Sequence, residues 1–318
     1  MTLKIFCHVQ SEILYLTPEM NLNQLEILHH LQETDYNLTK TAKKMHVVQS
    51  AVSRQLMKLK EEIGTPLFER HGKRLLGLTP LCVQILAEVA SVNQAKRNIR
   101  QIADDYLDIR NGTLHIATTH TQARYFLPTP ISRFREKFPW IKIYMEQSYP
   151  LNLINLLHQH KADIAVCTER MVEDEKLVIQ PCYQWHHIAI VPKGHELAQG
   201  EITLQRLADF PILTYSRGFT GRSNIEKAFD NAGIMPDITL AAADSDVIKT
   251  YVRLGYGVGI ISSMSYEPHI DSDLVVLDLS HLIPVSTTKI AYLKQNYLPS
   301  YMRYFIEQLE SSAPKTII

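Results

Sequence analysis

Apolar residues fall at helical spacing at Leu22, Leu25, Ile27, Leu28 and Leu31, which predicts a first helix ending near Glu33. A shorter helix is expected over residues 39 to 45, with Asn37 or Thr39 as its N-cap and the small Ala42 where two helices cross. His46 to Val48 read as a tight turn. The next helix should run from about Gln49 to Ile63, with Val52, Leu56 and Leu59 inward and Ser50, Ser53, Arg54 and Lys58 outward. Gly64 follows where a left-handed residue closes a helix. Residues Pro66 to Leu78 form two extended pieces about His71-Gly72, a β-hairpin. Thr79-Pro80 opens a long helix, since proline is tolerated at the first helical position. Ile85, Val89, Val92, Ile99, Ile102 and Tyr106 mark a heptad-like seam along it. That seam suits a dimerising linker helix, the favoured reading, or a helix lying on its own domain.

After Gly112 the texture changes. Strand patterns (113–119, 141–148, 162–169, 186–192, 211–216, 238–243, 258–262, 288–294) alternate with helical ones (121–138, 151–160, 222–233, 246–255, 299–310). Such alternation predicts a parallel α/β sheet. Two α/β lobes joined by crossing connections would leave a cleft at the C-terminal ends of strands, where small ligands bind.

Charge changes the picture of the N-terminal part. The 318-residue chain has no net formal charge, yet residues 40 to 74 carry nine Lys/Arg against three Asp/Glu, a local balance of +6. A basic module on a mildly acidic body fits phosphate contact by one end only. Cys7, Cys82, Cys167 and Cys182 show neither a CxxC pair nor zinc spacing and read as reduced thiols. No apolar run nears the roughly 18 residues of a membrane helix. Residues 1 to 19 do not resemble a signal peptide, because His8, Gln10, Ser11 and Glu12 interrupt them. They read as a loose extension or the product of an upstream start codon, and the cytoplasm is the expected location.

Three segments invite chemistry. The first is the pair of helices over residues 39 to 63, a helix-turn-helix with a hairpin wing. Its second helix would read base edges with Gln49, Ser50, Ser53, Arg54 and Lys58. Thr39 and the wing cations Arg70, Lys73 and Arg74 would set register on phosphates. The plain alternative is a helical hairpin inside a core. The second segment is Thr118 to Tyr125, TTHTQARY, where a strand hands over to a helix. Its hydroxyls, the Gln122 amide and free helix-start N–H groups suit an anion without any buried cation; the alternative is a capped helix with surface threonines. Two loops share that character, Cys167-Thr168-Glu169 and Ser216 to Ser223. The third, Gly255 to Gly259, fails as a dinucleotide fingerprint, because a helical pattern precedes the glycines. The fourteen histidines include no HExxH, and no Gly-x-Ser-x-Gly elbow is present. Neither enzyme, cofactor nor metal site is therefore expected.

The order of helix-turn-helix, wing, long helix and two-lobed α/β domain resembles the LysR-type transcriptional regulators. AVSRQLMKLKEEIGTPLFER is similar to their shared N-terminal pattern. TTHTQARY, PCYQW, GFTGRS, DSDVIKTYVRLGYGVGIISSM and STTKI resemble the CysB-like subgroup. The likeness implies an N-terminal extension (1–19), a winged helix-turn-helix (20–78), a linker helix (79–111) and a periplasmic-binding-protein-like effector domain (112–318). Lobe I would comprise 112–181 and 287–318, and lobe II 182–286.

The likeness also implies an activator of sulfate assimilation and cysteine biosynthesis genes, working as a homodimer or homotetramer on double-stranded promoter DNA with RNA polymerase. Its effector would be O-acetylserine or N-acetylserine, sulfate or thiosulfate. Carried over by motif, the effector residues would be Thr119, Thr121, Gln122, Thr168 and Thr220, with Trp185 near the cleft. Sulfate only accepts hydrogen bonds, so neutral donors suffice for it, whereas protonated phosphate also needs an acceptor. Val48 and Ala51 depart from the subgroup's recognition helix, and Leu81-Cys82 replaces the usual Ala-Gly. An accessory regulator of alternative sulfur sources is a second reading, and a solute-binding protein a third.

Overall fold

The computed structural model describes residues 20–72, 74–107, 110–168, 174–219 and 221–312; the expected extension over 1–19 lies outside them. The chain divides into two compact units at Ile99/Arg100.

In the first unit, helices α1 (Leu22–Glu33), α2 (Leu38–Lys44) and α3 (Gln49–Ile63) precede strands β1 (Phe68–His71) and β2 (Arg74–Leu78). Asn21 and Gln24 form a reciprocal capping box at the start of α1. Asn37, not Thr39, caps α2: its side chain accepts from the N–H groups of Thr39 and Lys40, so the helix begins at Leu38. Gly64 ends α3 at φ 78°. β1 and β2 pair antiparallel as the expected hairpin. Leu28, Leu31, Val52 and Leu59 are wholly buried beneath the three helices, each worth about 1.5–3 kcal/mol against exposure.

Helix α4 (Pro80–Tyr106) carries the heptad-like seam, and the structure divides it. Val89 is buried, and Ile85 and Val92 pack on the core of the first unit. Ile99, Ile102 and Tyr106 are 70%, 48% and 89% exposed. One half of the seam thus lies on its own domain, and the other is uncovered within the chain.

The second unit begins with β3 (Thr113–Thr118), a π-helical turn (Gln122–Phe126), α5 (Pro128–Lys137), β4 (Lys142–Gln147), α6 (Pro150–His158), β5 (Ile164–Thr168) and β6 (Leu177–Trp185). It continues through β7 (His187–Pro192), α7 (Leu204–Ala208), β8 (Ile212–Tyr215), α8 (Arg222–Asn231), β9 (Ile238–Ala242), α9 (Ser245–Arg253) and β10 (Val258–Ser262). β11 (Leu274–Asp278), β12 (Ser286–Leu293) and α10 (Ser300–Ser311) complete it.

Two five-stranded sheets result, in the orders β4-β3-β5-β12-β6 and β11-β7-β10-β8-β9. They are mixed, not purely parallel as the alternation predicts. β3, β4 and β5 run parallel, as do β8, β9 and β10. β12 opposes β5 and β6, and β7 opposes β10 and β11. The antiparallel pairs arise where the chain crosses between lobes, through β6–β7 and again through β11–β12. The first crossing falls at His186, because β6 stays in the first sheet through Trp185; this corrects the boundary at 182. Strand β6, hidden in the sequence by Pro181, is an edge strand, where proline is tolerated.

The single helix expected over 121–138 is broken in two. The Leu127 N–H reaches back to the Gln122 carbonyl, a five-residue step, and Pro128 then opens α5 as its first residue.

Candidate functional site

The first candidate surface is α3. Gln49, Ser50, Ser53, Arg54 and Lys58 are all exposed, while Val52, Leu56 and Leu59 are buried on the opposite side. The polar set recurs at steps of three and four, so it forms one continuous stripe. Thr39 is exposed at the start of α2, and Arg70 is exposed on the hairpin. Lys73 and the side chain of Arg74 lie outside the described residues. Val48, 68% exposed, precedes α3 without capping it through a side chain.

The second candidate site lies at the C-terminal ends of β3 and β5. Thr118 Oγ1 donates to the Val166 carbonyl at 2.8 Å and ties the two strands together. Thr119, Thr121 and Gln122 follow, all buried. The Thr119 hydroxyl has no hydrogen-bond partner among the described residues.

Gln122 Nε2 donates to Thr288 Oγ1 at 3.2 Å, and its Oε1 accepts from the Tyr183 hydroxyl at 2.6 Å. Thr288 Oγ1 lies 3.1 Å from Thr168 Oγ1, which also accepts from Trp185 Nε1 at 3.3 Å. Three of the sequence-derived residues, Gln122, Thr168 and Trp185, are therefore joined in one buried network. Its two connecting members, Thr288 and Tyr183, were missed. Both sit on lobe-crossing strands, β12 and β6, and only the STTKI and PCYQW likeness could have signalled them. Burial pushes the Tyr183 hydroxyl pKa up, so it stays protonated and donates. Among the described residues no Lys or Arg belongs to this network. Thr220, the last sequence-derived member, lies outside the described residues.

A separate polar cluster bridges the lobes beside it. Tyr125, on the π turn of lobe I, donates to Asp246 Oδ1 on α9 of lobe II at 2.6 Å. Arg124 Nε lies 2.9 Å from Asp246 Oδ2. Lys249 Nζ donates to Tyr125 Oη at 3.2 Å, to the Ser265 carbonyl at 2.9 Å and to Asp271 Oδ2 at 2.9 Å. Arg253 Nη2 takes the other Asp271 oxygen at 2.8 Å. Burial opposes the charge on Lys249, but the bonds to Asp271 and Tyr125 outweigh it and hold its pKa above the ordinary lysine value. Burial, with the bond to Asp246, pushes the Tyr125 pKa up to about 12. Asn224 on α8 adds a second interlobe tie, donating to Ser286 Oγ at the start of β12 at 3.0 Å. His120, Asp244 and Asp246 bring ligand-type atoms within 4.8 Å of one another. Asp246 is already engaged by cations and Asp244 caps α9, which leaves the group poorly suited to a metal ion.

Residues 108–314 match the LysR substrate binding domain, and residues 22–82 the bacterial regulatory helix-turn-helix protein, lysR family. The chain belongs to the LysR family.

This LysR-family chain is 40% identical over 289 residues to the HTH-type transcriptional regulator SsuR of Burkholderia cenocepacia (91% of this chain, 94% of that one). It is 42% identical over 289 residues to the regulator cbl of Klebsiella aerogenes (91% and 92%). Against the regulator CysB of Haemophilus influenzae it is 38% identical over 300 residues (94% and 93%). The solved cofactor-binding domain of the Cbl transcriptional regulator superposes with a TM-score of 0.61 at 40% identity, covering 64% of this chain and 90% of that one. The protein is a LysR-type transcriptional regulator of the CysB-like group, not an enzyme. Its helix-turn-helix part spans α1 to the start of α4, and the two-lobed unit is the substrate-binding domain, which in this family takes small-molecule effectors. Among the described residues no helix is long and apolar enough to cross a membrane.

Proposed function

We propose that this LysR-type regulator activates genes of sulfate assimilation and cysteine biosynthesis, governed by a small anion bound between the lobes. One observation carries the reading: a buried set of hydroxyl and amide groups at the ends of β3 and β5, without a cation among the described residues, in which Thr119 keeps a hydroxyl with no partner among them. Neutral donors of this type suit a sulfate or thiosulfate, or the carboxylate of O-acetylserine or N-acetylserine. Thr119, Thr121, Gln122, Thr168, Trp185 and Thr220 are the proposed effector residues. Gln122 and Trp185 act mainly by orienting Thr288 and Thr168, since their polar atoms are already engaged.

On the DNA side, Gln49, Ser50, Ser53, Arg54 and Lys58 read bases, while Thr39, Arg70, Lys73 and Arg74 hold phosphates. The uncovered Ile99, Ile102 and Tyr106 support a homodimer or homotetramer acting with RNA polymerase in the cytoplasm.

The test is binding of the full chain to promoters of sulfate-uptake and cysteine-biosynthesis genes, with and without each effector. Binding to none of them refutes the reading. A second reading, an accessory regulator of alternative sulfur sources, draws support from identities of 42% to cbl and 40% to SsuR against 38% to CysB. Calorimetry with sulfate, thiosulfate and both acetylserines separates the two.

A further inference from the structure

The π turn Gln122–Phe126 faces two ways. Gln122, with Thr119 and Thr121 just before it, belongs to the proposed effector set of lobe I. Arg124 and Tyr125 reach lobe II. The Tyr125 hydroxyl donates to Asp246 Oδ1 at 2.6 Å, and Arg124 Nε lies 2.9 Å from Oδ2. A separation of 2.6 Å fits a hydroxyl on an ionised carboxylate, a bond about twice as strong as a neutral one. Burial opposes the charge on Asp246, but the bond from Tyr125 and the Lys249 and Arg124 cations outweigh it and hold its pKa below the ordinary carboxylate value. Asp246 is therefore ionised at neutral pH, and Tyr125 keeps its proton.

The turn is too short to yield between these attachments. The Ala123 N–H donates to the Thr119 carbonyl at 3.0 Å, and the Leu127 N–H to the Gln122 carbonyl at 2.9 Å. Backbone bonds thus run from the first effector threonine past Tyr125. Phe126 and Leu127, next in the chain, are buried in the lobe I core. A shift of Tyr125 is passed back to Thr119, Thr121 and Gln122 because the core blocks the other direction.

Lobe II meets the same network at a second point. Met264, on the short turn Ser263–Ser265, packs on the lobe I core. Its Sδ lies 3.5 Å from the Tyr183 hydroxyl and 3.9 Å from Gln122 Nε2. Lys249 ties that turn to Tyr125, since one ammonium holds the Ser265 carbonyl, Asp271 and the Tyr125 hydroxyl. Asp246, Lys249 and Met264 all stand outside the proposed effector set, yet each bears on where its donors sit.

We propose that Tyr125 and Asp246 are positioning residues for the effector: their bond across the lobes holds Thr119, Thr121 and Gln122 in register with lobe II and so sets effector affinity. The proposal rests on the interlobe effector site argued above.

The full chain is titrated by calorimetry with sulfate, thiosulfate and the two acetylserines. Tyr125→Phe keeps the ring and the charge balance and removes only the hydroxyl. It should weaken binding about tenfold, the scale of one bond to a charged group. In an Asp246→Ala background the same substitution should cost less than about twofold, because the acceptor has gone. Comparing the two backgrounds cancels whatever the Asp246 charge does to an anion directly. Unchanged or tighter binding by Tyr125→Phe overturns the proposal, as does an equal loss in both backgrounds. A residue serving stability alone would lower the urea midpoint of the second unit and leave the affinity of the folded variant unchanged. Amide exchange gives a readout that needs no ligand. Ala123 and Leu127 should exchange faster in Tyr125→Phe and in Asp246→Ala than in the wild type; unchanged protection overturns the proposal. Binding of none of the four anions by the wild-type chain removes the effector reading and the proposal together. Binding that does not depend on Tyr125 removes the proposal alone.

Discussion

Replacing Lys249 with Met removes a buried cation and keeps most of its aliphatic volume. Lys249 is 3% exposed and holds three oxygens, on Asp271, Ser265 and Tyr125. Breaking a buried ion pair by deleting one member costs about 3–5 kcal/mol, because the remaining charge is left uncompensated. Asp271 is not left alone, since Arg253 still binds Oδ1 at 2.8 Å and the Glu267 N–H still donates to Oδ2 at 2.9 Å. The loss should therefore lie at the lower end, about 3 kcal/mol. The two tryptophans, Trp140 and Trp185, both lie in the second unit, so fluorescence in a urea titration follows that unit selectively. The midpoint should fall without a change in slope. Arg253→Met in the same assay should cost less, because Arg253 is partly exposed and leaves the Lys249 contact in place. A loss below about 1 kcal/mol for Lys249→Met, the range of a surface pair, refutes the assignment of a buried cation that Asp271 depends on.

Thr119→Val removes a buried hydroxyl that has no partner among the described residues and should weaken effector binding by about 1–3 kcal/mol, with operator affinity unchanged; calorimetry and a DNA gel shift on one preparation check both. Arg54→Ala should lower operator affinity by about 1–3 kcal/mol and leave effector binding intact; normal operator affinity removes Arg54 from the reading stripe. His187 makes stability depend on acid. Its folded pKa of about 3 lies below the unfolded value near 6.5, so its contribution is complete above about pH 6.5. That contribution is lost by about 1.4 kcal/mol per pH unit as pH falls toward 3. The stability gap between wild type and His187→Leu should therefore shift in favour of the variant across that window, read by urea titration at successive pH values.

The helices of the first unit were legible almost to the residue, because each has a local signal. Asn21 and Asn37 cap, Gly64 terminates, and one face of α3 is apolar. The sheets of the second unit were less legible. Strand direction is set by which lobe the chain is entering, and no residue in β7 or β12 records that locally. The split of α4 escaped for a similar reason: Val89 and Ile102 are equivalent in a heptad but differ in what lies beside them. At the proposed effector site the strand-end threonines stood out as a run of hydroxyls. Thr288 and Tyr183 did not, since each reaches the cluster only by long-range pairing. Tyr183 and Gln122 are 61 residues apart, and Thr288 and Gln122 are 166 apart.

The π turn over Gln122–Phe126 has a consequence for alignment. Its wide winding takes up one residue more than a regular helix of the same span. Deleting Ala123 would return the segment to ordinary winding, turning one side of the cut against the other by about 100° and drawing it in by about 1.5 Å. Gln122, on one side, is locked to Thr288 and Tyr183 of lobe I. Tyr125, on the other, is locked to Asp246 of lobe II. A single-residue gap here would strain the tie between the lobes and also disturb the lobe I core, to which Phe126 and Leu127 belong. The length of the segment between β3 and α5 is thus fixed from both sides, by the lobe I core and by the tie to lobe II.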